Sequence, residues 1–192
     1  MMIKKGAEAE VIITDNIVIK NRSVKNYRES QLDNKIRRER NKREARIMIK
    51  VAQKVNIPKI IEYDKFSIKM EFINGEELKN KESLKGVEKR IGEQIGLLHS
   101  LGISHGDLTT SNIILKNKKI YLIDFGLANR GKIEDFATDI KVLFECVRAS
   151  HSDFSKKLFF EGYNKKMSKH KEVKSRLEKV YERGRYRIKQ SQ

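Results

Sequence analysis

Two short polar stretches in the second half of the chain hold side chains that could take part in chemistry. The first reads His-Gly-Asp-Leu-Thr-Thr-Ser-Asn over residues 105–112, and the second reads Asp-Phe-Gly over residues 124–126. The first has the H-x-D-L-x-x-x-N spacing of a phosphotransferase catalytic loop, and the second offers a metal-binding carboxylate. Transfer of a phosphoryl group between oxygens needs a carboxylate near the acceptor hydroxyl and metal ions that neutralise the phosphates. The two stretches therefore indicate phosphoryl transfer.

Each polar side chain of these stretches has a place in that chemistry. Asp107 is expected to act as the base or to position water, and Asn112 and Asp124 are expected to give oxygen ligands to Mg²⁺. Apolar residues 113–115 and 120–123 flank a polar turn, which predicts two strands joined as a hairpin. The hairpin would bring Asn112 and Asp124 side by side. Ordinary turn residues capping strand ends are the alternative interpretation of the two aspartates.

The N-terminal residues predict the elements that would hold the phosphates of a nucleotide. Residues 10–20 contain two β-branched runs around a Thr-Asp-Asn turn, a pattern typical of a hairpin. Gly6-Ala7-Glu8-Ala9 precedes it, where a protein kinase has its glycine-rich loop, although only one glycine is present. The second strand ends in Val18-Ile19-Lys20, so Lys20 is expected to pair the α- and β-phosphates of ATP.

A long basic helix is predicted over residues 30–55, because its apolar residues recur at intervals of three and four. Glu44 lies at the edge of that apolar stripe, where a carboxylate needs a cationic partner. We expect it to pair with Lys20, as the corresponding groups do in an active kinase. Glu39, inside an Arg-Arg-Glu-Arg run, is the rival carboxylate, and its simplest interpretation is a local surface ion pair.

The segment that would bind the adenine ring follows this helix. Strands are predicted over residues 59–63 and 66–73, and the second one ends in Met-Glu-Phe-Ile. In a kinase this is the hinge between the lobes. Backbone groups of Glu71 and Ile73 are expected to bind the adenine edge, with Met70 at the back of the pocket. A plain edge strand followed by a turn is the alternative.

The remaining residues predict helices and a basic terminus. Apolar spacing predicts helices over residues 84–101 and 134–149 and two more after residue 154. The arginine-rich tail, residues 183–189, is too polar to join a core. It could reach a phosphate, an RNA base or the nucleotide site, or it could be a frayed terminus.

The charge of the chain indicates a polyanionic partner. The net charge is +17, and two segments account for it: residues 20–50 hold 12 basic and 4 acidic residues, and residues 155–192 hold 13 and 4. RNA is the first candidate partner, and a solvated lysine-rich surface is the alternative. No run approaches the ~20 apolar residues of a membrane span. The single cysteine and the lack of a signal-peptide pattern predict a cytoplasmic protein without contact to a membrane.

Taken together, these motifs resemble the PRPK family, the small, Bud-type atypical protein kinase subunit of the archaeal and eukaryotic KEOPS tRNA-modification complex. The Gly-Asp-Leu-Thr-Thr-Ser-Asn string is its most specific part, and Asp139 lies in a helix resembling the one that supports the catalytic loop. The resemblance implies an α+β, minimal bilobal protein-kinase-like fold. Residues 1–73 would form a β-rich N-lobe with the long helix, and residues 74–192 a small, mostly helical C-lobe.

The resemblance also implies a function. The chain would use ATP and Mg²⁺ as an ATPase or a serine/threonine kinase. It would support N6-threonylcarbamoylation of adenosine 37 in tRNA (t6A), beside a Kae-type threonylcarbamoyltransferase subunit and other KEOPS subunits. The tRNA would be contacted through helix 30–55 and tail 183–189.

Other functions remain open from the residues alone. The chain could be a RIO-like kinase in ribosome assembly or a small-molecule kinase of the aminoglycoside type, although its Thr-Thr-Ser run and short C-terminal part argue against both. It could also be a non-catalytic, nucleotide-switched tRNA-binding scaffold. No Ala-Pro-Glu motif occurs, and Gly106 stands where regulated kinases have arginine. We therefore expect activity that is not gated by phosphorylation of an activation loop.

Overall fold

An antiparallel sheet of five strands forms the N-terminal part of the protein. The computed structural model describes residues 2–6 and 8–189, without the side chains of Lys5 and of residues 184–189. The strands of the sheet are β1 (Met2–Lys5), β2 (Ala9–Thr14), β3 (Ile17–Arg22), β4 (Ile60–Tyr63) and β5 (Ser67–Glu71). Their order across the sheet is β1-β2-β3-β5-β4. β3 therefore lies at the centre, which places Lys20 in the middle of the sheet.

The long helix α1 (Ser30–Val51) packs on this sheet. The Glu29 carboxylate caps its first turn by accepting the backbone N–H groups of Gln31 and Leu32 at 2.9 and 2.8 Å. The predicted end at residue 55 was wrong, since the helix stops at Val51. Val55 instead folds back into the core, where it is 2% exposed, and Pro58 then prevents a continuation.

Four further helices follow: α2 (Glu88–Ser100), α3 (Ile133–Ser150), α4 (Lys156–Lys166) and α5 (His170–Lys189). The predicted start of α2 at residue 84 was four residues early. Leu84 and Val87 are buried there as expected, but Gly86 has φ +84°, a conformation that interrupts a helix. α5 includes the backbone of the predicted tail.

Short strands connect the helices around the chemical motifs. β8 (Ile113–Lys116) and β9 (Lys119–Leu122) form the expected hairpin, whose turn residues Asn117 and Lys118 have φ 49° and 61°. β6 (Glu76–Glu77) adds to β8, while β7 (Ile103–Ser104) pairs with β10 (Asn129–Arg130). Among the described helices, none combines the length and the apolar character that a bilayer crossing requires.

Candidate active site

Lys20 and Glu44 form an ion pair in the interior of the N-terminal part. The Lys20 ammonium lies 2.7 Å from Glu44 Oε1 and 2.6 Å from Asp124 Oδ1. A second cation, Arg22, donates from Nη2 to Glu44 Oε2 at 2.5 Å. Glu39, the rival carboxylate, is exposed on the other side of α1. The structure therefore joins β3, α1 and the Asp-Phe-Gly stretch through one cluster of charges.

The contacts of the cluster favour the charged forms of Lys20 and Asp124. Burial alone would lower the pKa of Lys20, but the carboxylates of Glu44 and Asp124 hold that pKa above its ordinary value. Burial alone would likewise raise the pKa of Asp124, but the Lys20 cation and a backbone N–H bond hold it below its ordinary value. At neutral pH the site therefore contains charged groups that suit a polyanionic ligand.

Asp107 and Asn112 contact each other within the catalytic loop. The Asn112 amide donates from Nδ2 to the Asp107 backbone carbonyl at 2.8 Å and to Asp107 Oδ2 at 2.9 Å. These bonds hold the Asp107 carboxylate in one orientation. They also leave Asn112 Oδ1 as the acceptor oxygen of that side chain.

Asp139, on α3, supports the backbone of the same loop. Its carboxylate, 3% exposed, accepts the backbone N–H of His105 at 2.6 Å and that of Gly106 at 2.9 Å. His99 Nε2 lies 3.2 Å from the same carboxylate, and the other ring nitrogen of His99 lies 2.9 Å from the Tyr163 hydroxyl. Gly106 has φ +80°, and a Cβ there would meet the Leu127 carbonyl oxygen at 2.5 Å. The glycine in place of arginine is therefore required by the backbone.

Asp124 and Asn112 together offer oxygen atoms of the kind that Mg²⁺ prefers. Asp124 has φ +60°, and its Oδ1 also accepts the Gly126 N–H at 3.2 Å. Among the described residues, Oδ2 of Asp124 takes part in no hydrogen bond. Asp124 and Asn112 line the same cavity. In the described part of the chain, His, Cys, Asp and Glu side chains form no group of three or more that could hold a metal ion by themselves. The two residues fit a metal held jointly with phosphate oxygens.

That cavity has a volume of about 480 Å³ and lies between the sheet and the β8–β9 hairpin. Met70, Glu71 and Ile73 line it, together with apolar side chains of β2 and β3. The Glu71 N–H already donates a hydrogen bond to the Lys59 carbonyl oxygen at 2.9 Å. No described group accepts the N–H of Ile73, although this residue is 3% exposed. A buried backbone donor at an apolar cavity fits an aromatic ring with an acceptor nitrogen on its edge.

A second cavity, of about 390 Å³, continues from the first and is lined by Lys20, Asp107 and Asp124. Gly6, Glu8 and Ala9 also line it, with the Gly6 N–H bound to the Ala9 carbonyl at 2.9 Å; Ala7 lies outside the described residues. Three cations that line this cavity were not predicted from the sequence: Lys4, Arg22 and Arg40. None of them belongs to a recognisable motif, and Arg40 contacts Glu8 only because α1 folds across the sheet.

The basic tail does not reach this site through its described side chains. Arg183 contacts Glu134 of α3 at 3.1 Å, and Arg176 contacts the same carboxylate. The side chains of residues 184–189 lie outside the described residues, so the expectation for the tail stays a prediction.

The chain is similar to known proteins along most of its length. The profile of a family described as RIO domain matches residues 14–158. The "Probable serine/threonine-protein kinase BUD32 homolog" of Archaeoglobus fulgidus is 39% identical over 97% of this chain and 96% of that protein. The "KEOPS complex subunit Bud32" of Pyrococcus abyssi is 38% identical, with the same coverage of 97% and 96%.

The chain is also similar to part of a longer relative and to a solved kinase structure. The "Probable bifunctional tRNA threonylcarbamoyladenosine biosynthesis protein" of Methanosarcina acetivorans is 40% identical over 96% of this chain. The chain spans only 35% of that relative's length. The Rio2 kinase of Chaetomium thermophilum, crystallised with ADP, Mg²⁺ and phosphoaspartate, superposes with a TM-score of 0.67 at 17% identity, covering 92% of this chain and 64% of that one. The expected α+β, protein-kinase-like fold is confirmed.

Proposed function

Because the chain belongs to the RIO-domain family, together with the archaeal Bud32 proteins that it matches over nearly their whole length, we propose that it is a Mg-ATP-dependent serine/threonine kinase or ATPase. The observation that carries this proposal is the convergence of Lys20, Asp107 and Asp124 on one cavity. They come from β3, from the catalytic loop and from the stretch after β9. Their types and charges are those that phosphoryl transfer needs.

ATP would occupy both cavities. Its adenine would lie in the larger one, against Met70, with its edge bound by backbone groups of Glu71 and Ile73. Its phosphates would extend past Lys20 towards the turn of Gly6, Glu8 and Ala9. Asn112 and Asp124 would hold Mg²⁺, whose chemistry is to neutralise the charge of the phosphate oxygens. The proposed boundary between an N-lobe and a C-lobe follows Ile73.

Asp107 would accept the proton of the attacking hydroxyl or water. As the new bond forms between that oxygen and the γ-phosphorus, the bond from the γ-phosphorus to the β,γ-bridging oxygen breaks and ADP leaves. Asn112 holds the Asp107 carboxylate ready for this proton through its two hydrogen bonds. Lys20 would stabilise the negative charge that develops on the phosphates.

We further propose that this activity supports t6A formation in tRNA, as a KEOPS subunit beside a Kae-type transferase. Support comes from the names of the relatives, which include a KEOPS subunit and bifunctional proteins of threonylcarbamoyladenosine biosynthesis. The exposed face of α1 adds to it. Arg38, Lys42 and Arg46 recur there every four residues, and no described residue pairs with them. Such a stripe suits the phosphates of an RNA.

Two other functions have specific support. The family profile and the likeness to Rio2 favour a RIO-like kinase of ribosome assembly, but the relatives matched over nearly their whole length favour the KEOPS role. The unpaired cations of α1 would also suit a non-catalytic scaffold for tRNA.

The test measures phosphate release from Mg-ATP by the purified chain, alone and with a Kae-type partner and tRNA. We expect release that the partner or tRNA stimulates. Asp107→Ala should reduce turnover by about 10²-fold or more while ATP affinity changes only a few-fold. Glu145→Ala, which removes an exposed carboxylate of α3, is the control. Labelled phosphate on serine or threonine without release would make the chain a kinase. Neither signal, with tRNA binding intact, would refute the enzymatic proposal in favour of the scaffold.

A further inference from the structure

Glu44 is held by two cations rather than one, and both come from the same strand. Lys20 and Arg22 are two residues apart on β3, so their side chains project from the same face of the sheet. Lys20 binds Oε1 of Glu44 at 2.7 Å, and Arg22 binds Oε2 at 2.5 Å. The carboxylate is therefore fully engaged, one oxygen for each cation.

Arg22 is buried as deeply as the groups it serves. Its side chain is 4% exposed and that of Glu44 1%, so neither charge has water as an alternative partner. The backbone of Arg22 is fixed as well: its N–H donates to the Phe66 carbonyl at 2.9 Å, and its carbonyl accepts Arg37 Nη1 at 3.4 Å. If Arg22 were removed, Oε2 of the buried Glu44 carboxylate would have no cationic partner. Because an unpaired buried charge is costly, the side chain would then favour another orientation.

Asp124 cannot replace Glu44 as the carboxylate that orients Lys20. It binds the Lys20 ammonium, not Glu44, and under the proposed function its carboxylate is needed for Mg²⁺. When Asp124 binds the metal, Glu44 is the protein carboxylate that still orients Lys20. Whatever fixes Glu44 then fixes the direction in which Lys20 points.

We propose that Arg22 is a positioning residue that holds Glu44, and through it Lys20, in the orientation that faces the phosphates before any ligand binds. This inference rests on the proposed function for its catalytic consequence, but not for the structural contact itself. A lysine–glutamate pair alone breaks when the helix that carries the glutamate moves. Here a second ion pair attaches the same helix residue to the same strand.

A neighbouring contact supports a fixed helix. Asn41 lies about one turn before Glu44 on α1 and donates from Nδ2 to the carbonyls of Asp64 and Ser67 at 3.0 and 2.9 Å. α1 is thus bound to the sheet at two successive turns. These contacts hold the charge cluster assembled in the absence of any ligand.

The test compares Arg22→Met, Glu44→Gln and the double variant in steady-state ATP turnover, each with its thermal unfolding recorded. Arg22→Met should lower kcat by about tenfold or more while KM for ATP changes less than about threefold. In the Glu44→Gln background the same change should alter kcat by less than about twofold, because Arg22 acts through Glu44. Arg22→Lys, which keeps a cation on β3, should recover part of the loss.

Arg90→Met is the matched control. Arg22 and Arg90 each have a buried Nε without a described partner. Arg90, however, lies on α2, and its one described bond is to the Gly86 carbonyl. This variant should leave kcat unchanged. An undiminished effect of Arg22→Met in the Glu44→Gln background would overturn the proposal and indicate that Arg22 contacts the phosphates directly.

Amide hydrogen exchange, without nucleotide, separates this inference from the proposed function. Arg22→Met should speed exchange in residues 41–51 of α1 several-fold, since Glu44 is freed, whereas Arg90→Met should not. Unchanged exchange there would refute the positioning role even if ATP turnover is normal. If Arg22→Met speeds exchange in α1 but the unsubstituted chain shows no ATP turnover, the role of Arg22 in holding Glu44 would be supported and the enzymatic proposal rejected. If Arg22→Met does not fold, Arg22→Lys is measured in its place.

Discussion

At the scale of single residues, two buried groups join the catalytic loop to its surroundings. Asp139 receives the backbone N–H groups of His105 and Gly106, so the residues just before Asp107 are tied to α3. His105 Nε2 lies 3.0 Å from the Ile123 carbonyl oxygen, and the His105 ring packs on that of Phe125 with the ring centroids 5.0 Å apart. Asp107, the proposed base, and Asp124, the proposed metal ligand, are therefore positioned through their neighbours in the chain.

Asp139→Asn tests the first of these groups. An amide has one acceptor oxygen and one donor group, so one of the two backbone N–H groups would face a donor and lose its bond. We expect the free energy of unfolding to fall by roughly 1–3 kcal/mol and turnover to fall by at least tenfold. Chemical denaturation and ATP turnover measure these effects.

Asp135→Asn provides the control, because it makes the same change on the same helix. Among the described residues, the Asp135 carboxylate accepts only the Lys132 N–H, at 2.8 Å, and an asparagine oxygen can still do so. Equal losses in both variants would show that the Asp139 contacts have no special role in the loop.

His105 predicts how stability depends on pH. Burial lowers the pKa of His105 below its ordinary value of 6.5 despite the nearby Asp139 carboxylate, and its Nδ1 is buried without a described partner. Below about pH 6.5 the unfolded chain takes up a proton that the folded chain refuses, so stability is lost as pH falls. His105 should contribute up to about 1.4 kcal/mol of that loss per pH unit.

The measurement is urea denaturation of the chain and of His105→Gln between pH 5 and 8. The variant should lose less stability on acidification, although it is less stable at pH 8. His170→Gln, which changes a half-buried histidine at the start of α5, is the control. Parallel curves for the chain and His105→Gln would contradict the expectation.

At the scale of elements, glycines allow a close contact between two helices, α2 and α4. α2 and α4 pack so tightly that a Cβ at Gly92 would overlap the Phe159 carbonyl, and one at Gly162 would overlap the Lys89 carbonyl. The contact places Tyr163 of α4 against His99 of α2. The helices behind the catalytic loop thus depend on small residues at the crossing.

Gly162→Ala should separate these helices. Alanine normally favours a helix over glycine by ~1 kcal/mol, but here the overlap with Lys89 should outweigh that gain. We expect a net loss of about 1–3 kcal/mol in the free energy of unfolding. Thermal or urea denaturation would show it.

Asn164→Ala, on the exposed side of α4, is the matched control. It adds helix propensity without a new contact and should leave stability unchanged or slightly higher. A stabilised Gly162→Ala variant would mean that the two helices can move apart without loss.

At the scale of the whole molecule, the net charge of +17 is spread unevenly. Several basic side chains form ion pairs within the protein, including Arg22 and Arg37, which pair with buried carboxylates. The exposed face of α1 retains cations without described partners. This surface is where an RNA would be attracted over long distances.

Binding of tRNA should therefore weaken steeply with salt. Replacing Arg38 and Arg46 by glutamate should reduce affinity at low salt and flatten the slope of log K against log[salt] by about one or two. A filter-binding or fluorescence titration between 50 and 300 mM salt, over which the Debye length falls from roughly 14 to roughly 6 Å, would measure it.

Lys85→Glu is the control for this surface. Lys85 is exposed and precedes the first residue of α2. The opposite end of α2 is the one near α1, since Lys50 of α1 contacts the Leu101 carbonyl there. It should change the slope much less. If Lys85→Glu and the α1 variant behave alike, the attraction comes from net charge and α1 is not the binding surface.

Local sequence predicted much of this architecture. The β2–β3 and β8–β9 hairpins, α1 and α3 follow from periodicity and turn residues, which act between near neighbours. Strands β1, β6, β7 and β10 were not predicted. Strands β6, β7 and β10 are two residues long and exist only because a distant segment offers backbone partners. Strand β1 instead pairs with the next strand along the chain, β2.

The sequence by itself predicted the proposed chemistry, because Asp107, Asn112 and Asp124 stand at the spacings of a phosphotransferase catalytic loop and its metal-binding Asp-Phe-Gly stretch. Tertiary structure decided which groups surround them. In the folded chain, Glu44 and not Glu39 pairs with Lys20, and Arg22 pairs with the same carboxylate. The helix α1 ends at Val51. Such choices depend on which charges are buried together once the sheet, α1 and the catalytic loop have packed, and that energy is not a property of any local stretch.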